Sequence, residues 1–414
     1  MISKKLFGLA VILAVTPWAA PQAYAAPLNP QAIVDSTFET WQQSQEGETA
    51  VLEIDPKSGD VETVDTQEAA PAQDDATVAV PGQPDAVVAT PEQSTDVPDE
   101  AAAQVASDPE VKEEVVQAAK EAKQDAAEDQ KEPDPFLVHV QVLLDRAFTS
   151  PGEIDGMLGE NTHKAVEAYQ TIHGLTVNGE INADLWKSLS ENTDKPVETY
   201  EITQEDLDAR FVDEIPDDYA ELAELEFIGY HNMEELIAER FHMDEGLLKL
   251  LNPDADFNAA GTQINVVAAG GAPEAEVTHI IVDKAKGELR AYANDGDEPV
   301  FVAPATIGSQ DTPSPSGNVD VVAVVRDPTY SYNPDKNFKQ GENDEKLQIA
   351  AGPNGPVGNV WIDLSKPTYG IHGTPKPNLI DKSASHGCVR LTNWDASRLA
   401  EIVKAKKTTV EFAE

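Results

Sequence analysis

Cys388 is the single cysteine of the 414-residue chain, and it lies in Ser385-His386-Gly387-Cys388-Val389-Arg390. Sixteen residues upstream, His372 opens the run His372-Gly373-Thr374. A thiol with no disulfide partner in its own chain, set among histidines and glycines, has the surroundings of a nucleophile rather than of a staple. A free thiol ionises near ~8.5 and needs a base or a favourable field before it reacts at neutral pH. His372 and His386 are the available bases. His386 shares the cysteine's own loop, two residues away. His372 ends a separate strand that folding can bring opposite the sulfur, so His372 is expected to be the base. Gly373 leaves room for a backbone carbonyl to fix the imidazole tautomer.

Gly387 permits a tight loop in which the amides of His386, Gly387 and Cys388 converge on one point, the geometry of an oxyanion hole, with Ser385 supporting the loop. Arg390 adds a fixed cation suited to a substrate carboxylate. Acyl transfer is the reaction class that uses all of these parts. Protonation of the base or the thiolate should slow it as the pH falls between 8 and 5. No metal or other cofactor is expected: the eight histidines show no His-Glu-x-x-His spacing, and one cysteine cannot build a zinc cluster.

The elements that must position these residues are mostly strands. Residues 277–282, 288–293, 300–307 and 319–325 alternate or run apolar between Gly, Pro and Asn-Asp-Gly turns, which predicts strands in a sandwich or barrel. Pro313, Pro315 and Gly317, then Gly352, Pro353, Gly355, Pro356 and Gly358, mark long irregular loops. A helix over 396–406 and a strand over 409–412 are expected to close the domain.

Upstream, the composition changes. The net charge of −46 is unevenly distributed: residues 277–414 carry 15 basic and 18 acidic side chains, while residues 1–276 carry 14 and 57. A chain this acidic is not expected to bind nucleic acid or anionic lipid through general electrostatics. Lys4 and Lys5, the apolar run over residues 6–15 and Ala23-Tyr24-Ala25 read as a secretory signal peptide cut after Ala25, leaving no membrane anchor. Residues 26–135 hold 5 lysines and 27 acids, are interrupted by prolines, and read as a disordered, self-repelling tether with one transient helix near 108–127. Residues 136–190 read as three small helices around one core, 191–226 as an acidic linker, and 227–270 as two helices (233–241 and 245–251) followed by a strand over 263–267. The fold class expected is therefore multidomain α+β: a mostly β catalytic domain over 277–413, preceded by a small three-helix domain and a disordered acidic tether.

Three stretches resemble known families. Asp155-Gly156-x-x-Gly159-x-x-Thr162, Ala165-Val166, Tyr169-Gln170, Gly174-Leu175 and Trp186 to Leu189 resemble the three-helix peptidoglycan-binding domain. Leu250-Leu251-Asn252-Pro253 and Ala260-Gly261-Thr262, after the helix at 235–241, look like a lysin-motif glycan-binding module. His372-Gly373-Thr374 with Ser385-His386-Gly387-Cys388-Val389-Arg390, supported by Thr312-Pro313-Ser314-Pro315-Ser316-Gly317 and Gly352 to Gly358, resembles the L,D-transpeptidase (YkuD-type) catalytic domain.

The last resemblance implies a cysteine acyl-enzyme formed at the L-centre of the diamino acid of a tetrapeptide stem, with release of D-Ala. A second stem's amine then makes a 3→3 cross-link in periplasmic peptidoglycan. Residue by residue, it makes Cys388 the nucleophile, His372 the base, His386 and Gly387 part of the oxyanion loop, and Arg390 a substrate anchor. The same acyl-enzyme is open to two other fates: hydrolysis (L,D-carboxypeptidase), or transfer to a lysine of an outer-membrane lipoprotein. A non-catalytic peptidoglycan-binding scaffold is the reading from a different class.

Overall fold

The computed structural model describes residues 28–49, 132–293, 296–308, 312–336, 338–383 and 385–414. The proposed signal peptide and the helical patch at 108–127 lie outside these. Among the described residues, one compact unit comprises those within 28–35 and 133–414. The helix Phe38–Thr49 (α2) belongs to a second.

The first helix, Pro30–Asp35 (α1), corrects the expectation of a disordered tether beginning at residue 26. Its Ile33 is fully buried, and the Leu28 amide donates to Leu250 O at 3.0 Å. The acidic average over 26–135 hides this local apolar cluster of Leu28, Ile33 and Val34.

Three helices follow: Pro135–Arg146 (α3), Glu160–Ile172 (α4) and Ala183–Leu189 (α5). Asp134 caps α3 by accepting from the Phe136 amide at 2.8 Å, with Pro135 at the first helical position. Gln141 is buried on α3, where an apolar side chain would be the default. Its Oε1 accepts from the Gly156 amide at 2.8 Å and its Nε2 donates to Asp155 at 2.7 Å, so it secures the turn before α4.

The next module corrects the expected linker over 191–226. Val197–Glu201 (β1) pairs antiparallel with Gln263–Val267 (β2), from Val197 opposite Val267 to Glu201 opposite Gln263. Between them lie Met233–Arg240 (α6) and Glu245–Leu251 (α7). The 227–270 stretch thus takes its partner strand from the supposed linker. It does not have a core of its own either: Ile33, Val138, Val142 and Ile154 pack in one cluster with Met233, Ile237, Leu247 and Val266.

The last third is built on one eight-stranded sheet. Its strands are Val277–Asp283 (β3), Glu288–Ala293 (β4), Phe301–Pro304 (β5), Gly317–Arg326 (β6), Val360–Leu364 (β9), Gly370–His372 (β10), Val389–Arg390 (β11) and Thr409–Ala413 (β12). The order is β11-β10-β9-β6-β12-β3-β4-β5, antiparallel except for the β10–β11 and β12–β3 pairs. Tyr330–Tyr332 (β7) and Leu347–Ile349 (β8) form a separate antiparallel hairpin.

The two outer strands of the large sheet meet. Just past β5, Thr306 exchanges both backbone hydrogen bonds with Arg390 of β11, at 3.0 and 2.9 Å. The sheet therefore curls closed, which removes its free edges and sets the closing seam beside Cys388. The helix Asn393–Ile402 (α8) begins three residues earlier than its apolar pattern suggested, because Thr392 caps it through the Asp395 amide at 3.1 Å. Its Leu399 and Ile402 join Ile280, Ile362, Ile371 and Val389 in the core.

The upstream modules are locked to this domain through buried charge. Arg398 of α8 grips Asp145 of α3 with two hydrogen bonds, at 2.6 and 2.9 Å. His242 and the Gly270 amide approach the same carboxylate, at 3.2 and 2.8 Å, and the His242 ring stacks on Trp394. Burial opposes the ionisation of Asp145, but Arg398 and His242 outweigh it and hold its pKa far below the usual carboxylate range. Among the described residues no helix is long and apolar enough to cross a membrane.

Candidate active site

Cys388, His372 and Arg390 are brought together by the β10–β11 pairing. The strands are parallel, with Ile371 opposite Val389 and His372 opposite Arg390. Ile371 and Val389 are both fully buried in the core. Strand side chains alternate between faces, so His372 and Arg390 share the opposite face, and Cys388, one residue before β11, points with them. Cys388 and His372 then stand on adjacent strands, about 4.8 Å apart across the pair and about 6.6 Å along it at the backbone.

His372 is buried, and its ring stacks on Trp361 with centroids 5.5 Å apart. Its Nδ1 lies 2.7 Å from the Gly373 carbonyl. A carbonyl can only accept, so Nδ1 carries the proton and Nε2 is left with its lone pair. Gly373 is required here for space: a Cβ would come within 2.2 Å of Asn393 Oδ1. Burial pushes the His372 pKa down to about 4, the Gly373 hydrogen bond opposes this, and the Arg390 charge adds to the fall. Burial also pushes the Cys388 thiol up, with a Gly370 backbone hydrogen bond and Arg390 pulling it partly back. The resting pair is thus a neutral thiol and a neutral imidazole. The expected fall in activity between pH 8 and 5 moves down to about pH 4, since His372 remains unprotonated through that interval.

The loop before Cys388 is held by hydroxyls. Ser385 Oγ accepts from the Gly387 amide at 3.1 Å and donates to Cys388 O. Ser314 Oγ donates to Gly387 O at 2.8 Å, and Thr312 Oγ1 donates to Ser385 O at 3.1 Å. The Thr312-to-Gly317 stretch therefore clamps the cysteine loop. Gly387 has φ +108, outside the range of a residue with a Cβ, and its amide is already engaged by Ser385. The convergence of three free amides is corrected accordingly: the Gly387 N–H belongs to the loop's own scaffold, leaving the amides of His386 and Cys388. The His386 ring stacks on Phe338 at 3.7 Å and is exposed, so it faces the cleft wall.

Three residues at the site carried no signal in the sequence reading. Thr368 has φ +74, a left-handed backbone that a β-branched residue adopts at a cost of about 1–3 kcal/mol, and its carbonyl lies 3.7 Å from the Cys388 sulfur. Trp361 backs His372. Tyr330 lies close enough to Cys388 for the thiolate's charge to help raise the phenol pKa, after burial and Tyr219. A cleft of about 690 Å³ opens beside them, lined by Tyr330, Ser331, Lys336, Lys346, Trp361 and Thr368. No group of histidine, cysteine and carboxylate side chains among the described residues is arranged to hold a metal.

Residues 277–411 match the family model of the L,D-transpeptidase catalytic domain, and residues 134–189 match one described as "Putative peptidoglycan binding domain". A 51-residue stretch is 53% identical to the "Putative L,D-transpeptidase YkuD" of Bacillus licheniformis, covering 12% of this chain and 31% of that protein. Over 180 residues the chain is 29% identical to the "Probable L,D-transpeptidase ErfK/SrfK" of Escherichia coli, covering 42% and 57%. The chain thus spans less than two thirds of the length of these curated relatives. Among solved structures, L,D-transpeptidase 3 from Mycobacterium tuberculosis overlaps 37% of this chain and 76% of its own, at 13% identity and a TM-score of 0.27. Residues 277–411 are an L,D-transpeptidase catalytic domain, with a peptidoglycan-binding domain upstream at 134–189.

Proposed function

We propose that the chain is a periplasmic L,D-transpeptidase that cross-links peptidoglycan through a thioester on Cys388. The observation that carries this reading is the β10–β11 pairing, which puts His372, its Nδ1–H given to the Gly373 carbonyl, on the same face of adjacent strands as the Cys388 thiol. In the first step Cys388 Sγ attacks the carbonyl at the L-centre of the stem's diamino acid while His372 Nε2 takes the thiol proton. The amides of His386 and Cys388 face the oxyanion. The tetrahedral intermediate collapses, the C–N bond breaks, and the departing D-Ala amine takes the proton from His372. In the second step an amine from another stem attacks the thioester, His372 takes its proton, and the proton returns to the sulfur as the C–S bond breaks. Arg390 is the anchor for the donor's carboxylate.

The signal peptide delivers the protein to the periplasm, the domain at 134–189 holds it on the wall, and the module around β1 and β2 binds glycan in this reading. The test is product analysis of muropeptides with wild type and Cys388→Ala side by side. Wild type should yield 3→3 cross-linked dimers and the variant none. A fully active variant contradicts the proposal. Free tripeptide alone would instead indicate a carboxypeptidase, and a stem joined to a lipoprotein lysine a ligase.

A further inference from the structure

The segment 215–228 belongs by sequence to the acidic stretch before the catalytic domain, yet it packs against the β7–β8 hairpin that lines the cleft. Tyr219 packs edge-on against Tyr332 at 5.2 Å, Tyr330 at 5.9 Å and Phe338 at 6.1 Å. Asp218 caps the helical turn Tyr219–Leu222 and also accepts from Asn343 Nδ2 at 3.2 Å. The Tyr219 amide donates to Gln340 Oε1 at 3.2 Å, and Gln340 Nε2 donates to Asp217 O at 2.8 Å. At the far end of the segment, the fully buried Ile228 donates from its amide to Ala351 O at 3.0 Å. Leu222 and Ile228 complete the small core of the β7–β8 hairpin with Tyr332 and Ile349. A hairpin with three-residue strands is not stable alone, so the shape of this flap depends on what covers it.

The flap in turn reaches the reacting groups. Phe338 stacks on His386, and Tyr330 lies within the fields of both Tyr219 and Cys388. Arg390 is near enough to Tyr219 for its charge to act on the phenol. We infer that residues 215–228 are a positioning strap for the flap, and that Tyr219 is a positioning residue that shapes the subsite for the donor stem by holding Tyr330 and Tyr332, which line the cleft. The inference rests on the peptidoglycan reading above for the identity of that donor.

The test uses the full chain with three variants: Tyr219→Ala, Tyr219→Phe and Gln340→Ala. For each, KM and kcat with a disaccharide tetrapeptide are compared with the rate at which iodoacetamide alkylates Cys388 and with the melting temperature. Tyr219→Ala should lower kcat/KM by about tenfold, chiefly through KM, because three aromatic contacts are lost. Alkylation should be unchanged or faster, since a small reagent does not need the flap. Tyr219→Phe should stay within about twofold of wild type, and Gln340→Ala should shift KM in the same direction as Tyr219→Ala by a smaller factor. The strap is overturned if Tyr219→Ala and Gln340→Ala keep the wild-type KM. It is also overturned if turnover, alkylation and melting temperature fall together. A wild-type protein that turns over no tetrapeptide would overturn the proposed function, which is a separate result from an active wild type with indifferent strap variants.

Discussion

Two arginines eight residues apart on the same strand-to-helix passage have opposite surroundings. Arg398 is buried, and Asp145 grips it with two hydrogen bonds in a network that also takes in Asp395, His242 and Gly270. Arg390 has no ion pair among the described residues, and its charge acts on His372, His386, Cys388, Tyr219 and Tyr330. The first is a matched charge that ties the upstream modules to the catalytic domain. The second is an unmatched charge left beside Cys388, the proposed nucleophile, where the proposed substrate carboxylate would complete the pair. The contrast separates what holds this molecule together from what it does, and substitutions on each side should give readouts that do not mix.

The largest effect is expected at the base itself. His372→Ala should slow thioester formation on Cys388 by about 10²–10⁴-fold, the usual contribution of a positioned general base. Stopped-flow or mass-resolved acylation rates would check this. On the structural side, Arg398→Ala leaves Asp145 buried without its partner and should cost about 3–5 kcal/mol in chemical denaturation. The sign with pH follows from the depressed Asp145 pKa. That carboxylate stabilises the fold above its unfolded value of about 3.9 and loses the contribution as the pH falls below it. Wild type should therefore lose more stability on acidification than Arg398→Ala does. The smallest effect is Arg390→Ala, expected to raise KM for the stem by about 10–100-fold, the range of a lost charge-assisted hydrogen bond, while leaving the melting temperature in place. A large stability loss at Arg390, or a selective KM effect at Arg398, would dissolve the contrast.

Much of the site was legible because its residues are neighbours in sequence. The cysteine loop, the second histidine and the Thr312-to-Gly317 clamp are local patterns, and α4, α7 and β2 show their period directly. What the sequence hid is non-local. β10 and β11 have three and two residues, too short for any period, and they matter through a parallel pairing that sets Cys388 beside His372. β1 was lost in an acidic stretch because its partner is more than sixty residues away, from Glu201 to Gln263. Tyr219 was hidden for the same reason: Asp217, Asp218, Glu221 and Glu224 dominate the local composition, while the apolar side of the turn faces the flap. Thr368 could not be anticipated, since nothing in a sequence marks a threonine held at φ +74.

The central claim, that neutral Cys388 and His372 act as nucleophile and base, is tested most directly by the pH dependence of Cys388 acylation. A carbapenem serves as the acyl donor, and the modified residue is located by peptide mass mapping. With the His372 pKa at about 4, the rate should be level from pH 8 to 5 and fall below about pH 4, with all the added mass on Cys388. A midpoint near the ordinary histidine value of about 6.5, or mass added at another residue, would contradict the account.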